Sequence, residues 1–169
     1  MCAHLRVEMP PLLRQVYWAA FGNPCCGVYQ PFYLHGVGVP EGLSVGDNMY
    51  SPESPWWLTT RLRLACDLNY ERLNPRIRET FSVTEQWEME RQLPRESKAL
   101  ELIQSGNRAA AQNLLRQFVD ENFQRVSHEL KALNESVPSE LTKAGVDYLF
   151  QDYLRQWILD KKVPLELPK

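Results

Sequence analysis

Residues 16 to 33 read Val-Tyr-Trp-Ala-Ala-Phe-Gly-Asn-Pro-Cys-Cys-Gly-Val-Tyr-Gln-Pro-Phe-Tyr, and this stretch decides the fold. Two apolar runs, Gln15 to Phe21 and Gly27 to Leu34, flank Gly22-Asn23-Pro24-Cys25. Gly and Asn tolerate positive φ and Pro removes a ladder donor, so the pattern predicts two strands joined by a turn. Both runs are apolar on nearly every residue, which predicts a sheet covered on both faces rather than one with a wet side.

Outward from that turn the chain changes character. Residues 1 to 50 carry only Arg6, Glu8, Arg14, Glu41 and Asp47 as charges, and six of the eight glycines precede Asp47. The first third therefore reads as buried sheet and loop, with 34–52 expected to be a surface loop held by few groups. From Ser54 onward the spacing is helical. Ser54-Pro55 is a helix start, the hydroxyl capping a free N–H and the proline taking a position that needs no donor. Leu58, Leu62, Ala65 and Asn69 mark one side of a helix to about Arg72. Asn74-Pro75 predicts a second start, with Pro94 as a stop. A short helix over 97–104 ends at Ser105-Gly106, and Asn107 caps a longer one to about Asn134. After Pro138, Ser139 caps a last helix whose face includes Val146, Leu149, Phe150, Tyr153, Leu154, Trp157 and Ile158. The last two helices are expected to form a hairpin sharing Phe118, Val119, Val126, Leu130, Leu149, Tyr153 and Trp157.

These elements predict an α+β chain with few N-terminal strands and then mostly helices. It divides into a strand-and-loop segment over 1–52 and a helical cover over 53–169, together one incomplete domain. The helices of this chain can cover only one face of a sheet that is apolar on both, so the second covering layer is expected to come from elsewhere.

Composition narrows the function. The chain has 169 residues, 44% hydrophobic content and a net charge of −2, which provides no field for nucleic acid or an anionic membrane. It carries no apolar run of spanning length and no signal-peptide pattern at its start, so a cytoplasmic location is expected. The four cysteines, Cys2, Cys25, Cys26 and Cys66, are expected to be reduced: the adjacent pair would point to opposite faces of a strand, and Cys66 falls in a helix. No Cys/His cluster has metal-ligand spacing, so neither metal nor other cofactor is expected.

The succession Cys2-Ala3-His4-Leu5, a Trp-rich strand, Gly22-Asn23-Pro24, Pro31-Phe32-Tyr33 and Ser54-Pro55-Trp56-Trp57 resembles the C-terminal part of the dipeptidase and secernin family of cysteine peptidases. The resemblance spans roughly residues 1 to 90, with the remainder entering as a helical tail. It implies a partial αββα sandwich of the N-terminal-nucleophile hydrolase kind and proteolysis of short peptides. The nucleophilic cysteine would lie upstream of this chain, so the chain alone would be inactive. The implied partners are a short peptide substrate in the complete enzyme, and a missing N-terminal half or a second copy. The alternative is a non-catalytic interaction module that docks through the amphipathic helices between Asn107 and Leu159.

Candidate site residues follow from side-chain chemistry. Cys2 becomes an N-terminal nucleophile, its own α-amine acting as base, only if Met1 is removed. Asn23 offers an amide that could donate to an oxyanion beside a cleft, against the simpler reading that Asn suits a left-handed turn. Trp56 and Trp57 are candidates for a substrate pocket, and one of two adjacent helix residues must face away from the core. Cys25 and Cys26 lack a neighbouring helix start or basic residue to activate a thiol, and Cys66 reads as a small buried hydrophobe. His4 and His35 could meet across neighbouring strands, though a structural role is the simpler reading; His128 reads as solvated. The Glu-rich run from Glu79 to Glu101, including Glu88 and Glu90, alternates with Arg and predicts a solvated helical face.

Overall fold

A computed structural model describes residues 1–136 and 151–165. The chain is α+β: a three-stranded antiparallel sheet in the order β1-β2-β3, followed by helices. The strands are β1 (Cys2–Leu5), β2 (Gln15–Ala20) and β3 (Tyr29–Tyr33), with a one-turn helix α1 (Pro11–Arg14) between the first two. A 3₁₀ turn at Glu41–Ser44 precedes α2 (Pro55–Leu68), α3 (Tyr70–Gln104), α4 (Arg108–Ser136) and α5 (Gln151–Asp160). Two compact units interleave along the sequence: unit 1 is Met1–Ala20, Val28–Glu41 and Phe81–Val126, and unit 2 is Phe21–Gly27, Gly42–Thr80 and Ser127–Lys169.

Unit 1 holds the sheet. Val16 pairs with Tyr33 and Trp18 with Pro31, and Pro31 is tolerated because β3 is an edge strand. Gln30, Pro31, Phe32 and Tyr33 are all buried, so the expected cover on both faces is present at β3. It is absent at β1, whose residues are exposed throughout. Leu5 and Val7 remain open to solvent. The loop after β3 is better held than its composition suggests: Gln112 donates to the Gly36 carbonyl, Arg116 donates to that of Val39 at 3.3 Å, and Val37 is fully buried.

The Glu-rich part of α3 is a solvated face only in part: Glu79, Glu90 and Glu101 are exposed, whereas Glu88 and Glu96 are buried. Glu96 is buried and accepts from the Arg6 guanidinium, from the Tyr33 hydroxyl at 2.8 Å and from Gln92 at 2.9 Å. Burial first, and then the Glu96 carboxylate, push the Tyr33 hydroxyl far above the usual phenol range. Glu88 is also fully buried, but neither of its carboxylate oxygens has a hydrogen-bond partner. Desolvation, reinforced by the nearby Glu85 charge and opposed by Arg125, raises its carboxyl to about 9. Alternation with Arg misled the sequence reading because Arg91 and Arg95 pair with Glu121 of α4, not with their neighbours along α3.

Unit 2 is built around α2. Ser54 caps it, its hydroxyl accepting from the Trp57 N–H, with Pro55 in the first turn as expected. Instead of one buried side, α2 is buried nearly all round: Trp57, Leu58, Leu62, Leu64, Ala65 and Cys66 are all in the core. Arg61 is buried among them because it donates to the Pro164 carbonyl at 2.8 Å and to the backbone and side-chain oxygens of Asn134 at 2.6 and 3.0 Å. Trp57 packs with Leu64, Ile158 and Val163, flanked by Tyr50 and Trp157. Segment 42–52 is tied down by the Trp57 indole N–H donating to the Asp47 carbonyl at 3.0 Å and by the Tyr50 N–H donating to the Lys161 carbonyl at 3.1 Å.

Neither Pro75 nor Pro94 ends a helix; α3 runs through both. An interior proline costs roughly 3 kcal/mol by removing one ladder bond and crowding the preceding turn. Around Pro75 that cost is offset by Leu73, Ile77 and Phe81, buried at four-residue spacing on one side of the helix. Asn74 is no cap; its amide donates to the Cys25 carbonyl at 2.6 Å. The stop after Gln104 and the Asn107 cap, which accepts from the Ala110 N–H at 3.2 Å, agree with the sequence. Trp157 packs on Trp57 of α2, with ring centroids 5.8 Å apart. Pro138, Ser139, Val146, Leu149 and Phe150, and the side chains of Tyr153 and Leu154, lie outside the described residues, as does the link of the expected hairpin.

Candidate functional site

The Gly22–Gly27 turn and the outer side of α2, both in unit 2, form the candidate site. Gly22 has φ +76°, and a side chain there would also press on Thr59, whose Cγ2 lies 3.1 Å from the position a Cβ would take. The turn therefore needs glycine both for its backbone and for its close seat on the helix. Asn23 is not in the left-handed region, since Lys162 is the only non-glycine with positive φ among the described residues. Its Oδ1 accepts from the Cys25 N–H at 2.9 Å, and its carbonyl accepts from the Cys26 N–H at 3.0 Å. The side chain thus shapes the turn through its oxygen, leaving the NH₂ group as a donor.

Asn23 and Gly22 line a groove of about 380 Å³ with Trp56, Thr60, Arg63 and Trp157. Trp56, Thr60 and Arg63 recur at helical spacing on α2, so one face of that helix forms one wall and the turn another. Trp56 is 48% exposed, whereas its neighbour Trp57 is buried at 1%, so the expected division between an outward and an inward tryptophan is present. Trp57 does not line the groove. It stands edge-on to Trp56, with centroids 4.6 Å apart, and so fixes the orientation of the exposed ring. Arg63 makes a loose pair with Asp67 at 3.6 Å, and burial raises the Asp67 carboxyl despite that guanidinium.

Chemically the groove offers aromatic surface, one guanidinium, one hydroxyl and one amide, a set suited to holding an apolar group that bears an anionic end. None of its lining residues is a cysteine or a histidine. Cys2 lies exposed on β1 in unit 1. His4 pairs with Val16 of β2, and β3 is not adjacent to β1, so His4 and His35 do not face each other across neighbouring strands. His128 is exposed on α4, as its polar neighbours suggest.

Cys66 is buried in α2 as expected, but the adjacent pair is not in a strand. Cys25 and Cys26 lie in the turn; Cys25 is exposed and Cys26 is buried. The Cys26 sulfur accepts from Asn74 Nδ2 at 3.9 Å. The influence of the Cys66 thiol, with Asn74 and Arg63 in support and burial in opposition, lowers Cys26 to about 7, while the influence of Cys26 and burial push Cys66 upward. Helical spacing places Cys66 one turn beyond Arg63, but nothing local in the sequence brings Cys26 to it.

Among the described residues no group of three or more His, Cys, Asp or Glu side chains is placed to hold a metal ion, and no helix is long and apolar enough to cross a membrane. No protein-family model, curated protein or solved structure matches the chain.

Proposed function

We propose that this chain is the C-terminal portion of a dipeptidase-like cysteine hydrolase of the N-terminal-nucleophile kind, forming a substrate wall while the nucleophile is contributed from upstream. The observation that carries this reading is that residues from two separate motifs of the resemblance, Gly22 and Asn23 of the turn and Trp56 of the helix start, line one groove. In this reading Trp56 and Trp157 hold an apolar peptide side chain. Arg63 attracts the peptide carboxylate, and the Asn23 amide donates to a substrate oxygen. Binding surface without a nucleophile and base beside it is what a substrate wall requires.

Dipeptide hydrolysis tests the assignment. The purified chain is expected to show no turnover, and co-expression with the segment encoded in frame upstream of Met1, beginning with a cysteine, is expected to restore it. Turnover by the chain alone that is abolished in Cys2→Ser would overturn the reading and make Cys2 the nucleophile. An upstream frame that encodes no Cys-led strand would overturn it as well.

A further inference from the structure

We infer that the outer edge of β1 is a docking surface for a second copy of this chain, β1 pairing antiparallel with β1 across a two-fold axis. The register and the Arg6 N–H, which donates to the Arg14 carbonyl at 2.8 Å, direct the backbone groups of Cys2, His4 and Arg6 toward β2. Those of Ala3 and Leu5 therefore point away from the sheet. Among the described residues no strand pairs with that edge, and all of β1 is exposed. The segment Cys2-Ala3-His4-Leu5 holds no proline and no Lys, Arg, Asp or Glu, so it lacks the usual devices that keep strand edges apart.

The other edge of the sheet is closed. The Leu34 N–H donates to the Gln15 carbonyl at 3.3 Å, so Tyr29, Pro31 and Tyr33 turn their backbone groups outward. The Tyr29 N–H donates to Glu85 Oε1 at 3.0 Å, Pro31 has no N–H, and Tyr33 is buried. One copy's β1 thus finds no β3 edge to extend along, and pairing closes at two copies instead of running into a fibre. The side chains favour the same partner. Met1, Ala3 and Leu5 alternate on one face and Val7 follows them; Met1, Leu5 and Val7 are 80%, 68% and 81% exposed. Antiparallel pairing centred on His4 sets Ala3 opposite Leu5 of the second copy and Met1 opposite Val7, so the apolar row is complementary to itself. Ala3 and Leu5 then exchange N–H to C=O hydrogen bonds in both directions. The contact is short, so the dimer is expected to be weak and concentration-dependent. It draws on residues of unit 1 alone and is independent of the groove.

Sedimentation equilibrium of the full chain, in a series up to roughly 0.5 mM, tests this. The mass should rise with concentration from that of one 19.7 kDa chain toward twice that value. Leu5→Pro removes an N–H that points away from β2, so it should leave the circular dichroism spectrum unchanged and raise the dissociation constant at least about tenfold. A second measurement does not depend on that variant. In a Cys2→Ser, Cys25→Ser background, which removes the exposed cysteines, His4→Cys should give a disulfide-linked dimer on oxidation with copper phenanthroline, because residues on the two-fold axis face each other with Cα atoms about 4.5 Å apart. His35→Cys, exposed but outside the strands, should not. A wild type that stays monomeric throughout, leaving the edge to a strand of another protein, would overturn the inference. So would a dimer that Leu5→Pro does not weaken, or equal cross-linking of the two cysteine variants.

Discussion

Arg61 in unit 2 is 4% exposed and donates to three oxygens, whereas Glu88 in unit 1 is 0% exposed and neither of its oxygens is hydrogen-bonded. The contrast extends beyond this pair. In unit 2, Asn134 donates to the Leu58 and Leu130 carbonyls at 3.1 and 2.7 Å, and Thr59 donates to the Pro55 carbonyl at 2.9 Å. In unit 1, Gln30, Thr84, Glu88 and Asn122 are all buried with polar atoms lacking partners. A satisfied buried polar group fixes one arrangement of its neighbours, and an unsatisfied one costs on the order of 1 to 3 kcal/mol. Among the described residues Ser127 Oγ is the one buried side-chain atom of unit 2 without a partner, so the groove lies where the described interior is the better satisfied, which suits a wall that must hold its shape.

Removing Arg61 should break that contrast most severely. Arg61→Ala strips donors from Pro164 and Asn134 and opens a cavity beneath α2, so a loss of about 3 to 5 kcal/mol is expected. Urea melts at fixed pH read it directly. A loss below about 1 kcal/mol would mean that the Arg61 bonds do not organise unit 2.

Glu88 sharpens the comparison from the other side. Its folded-state value of about 9 exceeds the ordinary carboxyl value of 4.5, so the folded chain holds this proton after the unfolded chain has released it. Stability should therefore be highest below the unfolded value and decline as pH rises from about 5 toward 9, by at most about 1.4 kcal/mol per pH unit. Glu88→Gln keeps the shape and removes the titration. It should flatten that decline and stabilise the protein by about 2 to 4 kcal/mol at pH 8 relative to wild type. Urea midpoints across this range check it; parallel wild-type and variant curves would show that Glu88 is solvated or paired.

How much of this was legible in the sequence depended on whether the cause was local. The strands on either side of Gly22-Asn23-Pro24 and the caps at Ser54 and Asn107 rest on nearest-neighbour chemistry, and the structure has them. Pro75 and Pro94 misled because a local helix breaker was overridden by burial on one side of α3. Glu88 and Glu96 misled because their burial comes from residues far along the chain, such as Arg6 and Tyr33 for Glu96. Of the groove, Asn23 and Trp56 were visible as a turn amide and an outward tryptophan, while Thr60, Arg63 and Trp157 were not. Arg63 and Thr60 could have been found by continuing the helical face from Trp56; Trp157 lies too far along the chain for any local signal.

Whether the groove holds a peptide is tested most directly by titrating tryptophan fluorescence with an alanyl-phenylalanine dipeptide, in wild type and in Trp56→Leu. Trp56 is half exposed and packs edge-on against Trp57, so the substitution should cost about 1 to 2 kcal/mol, and urea melts of both proteins confirm that the variant is folded in the titration. A saturable change in wild type that becomes at least about tenfold weaker in Trp56→Leu, equivalent to roughly 1.4 kcal/mol, is the predicted result. No saturable change in wild type, or an undiminished one in the variant, would contradict the assignment of this groove to peptide binding.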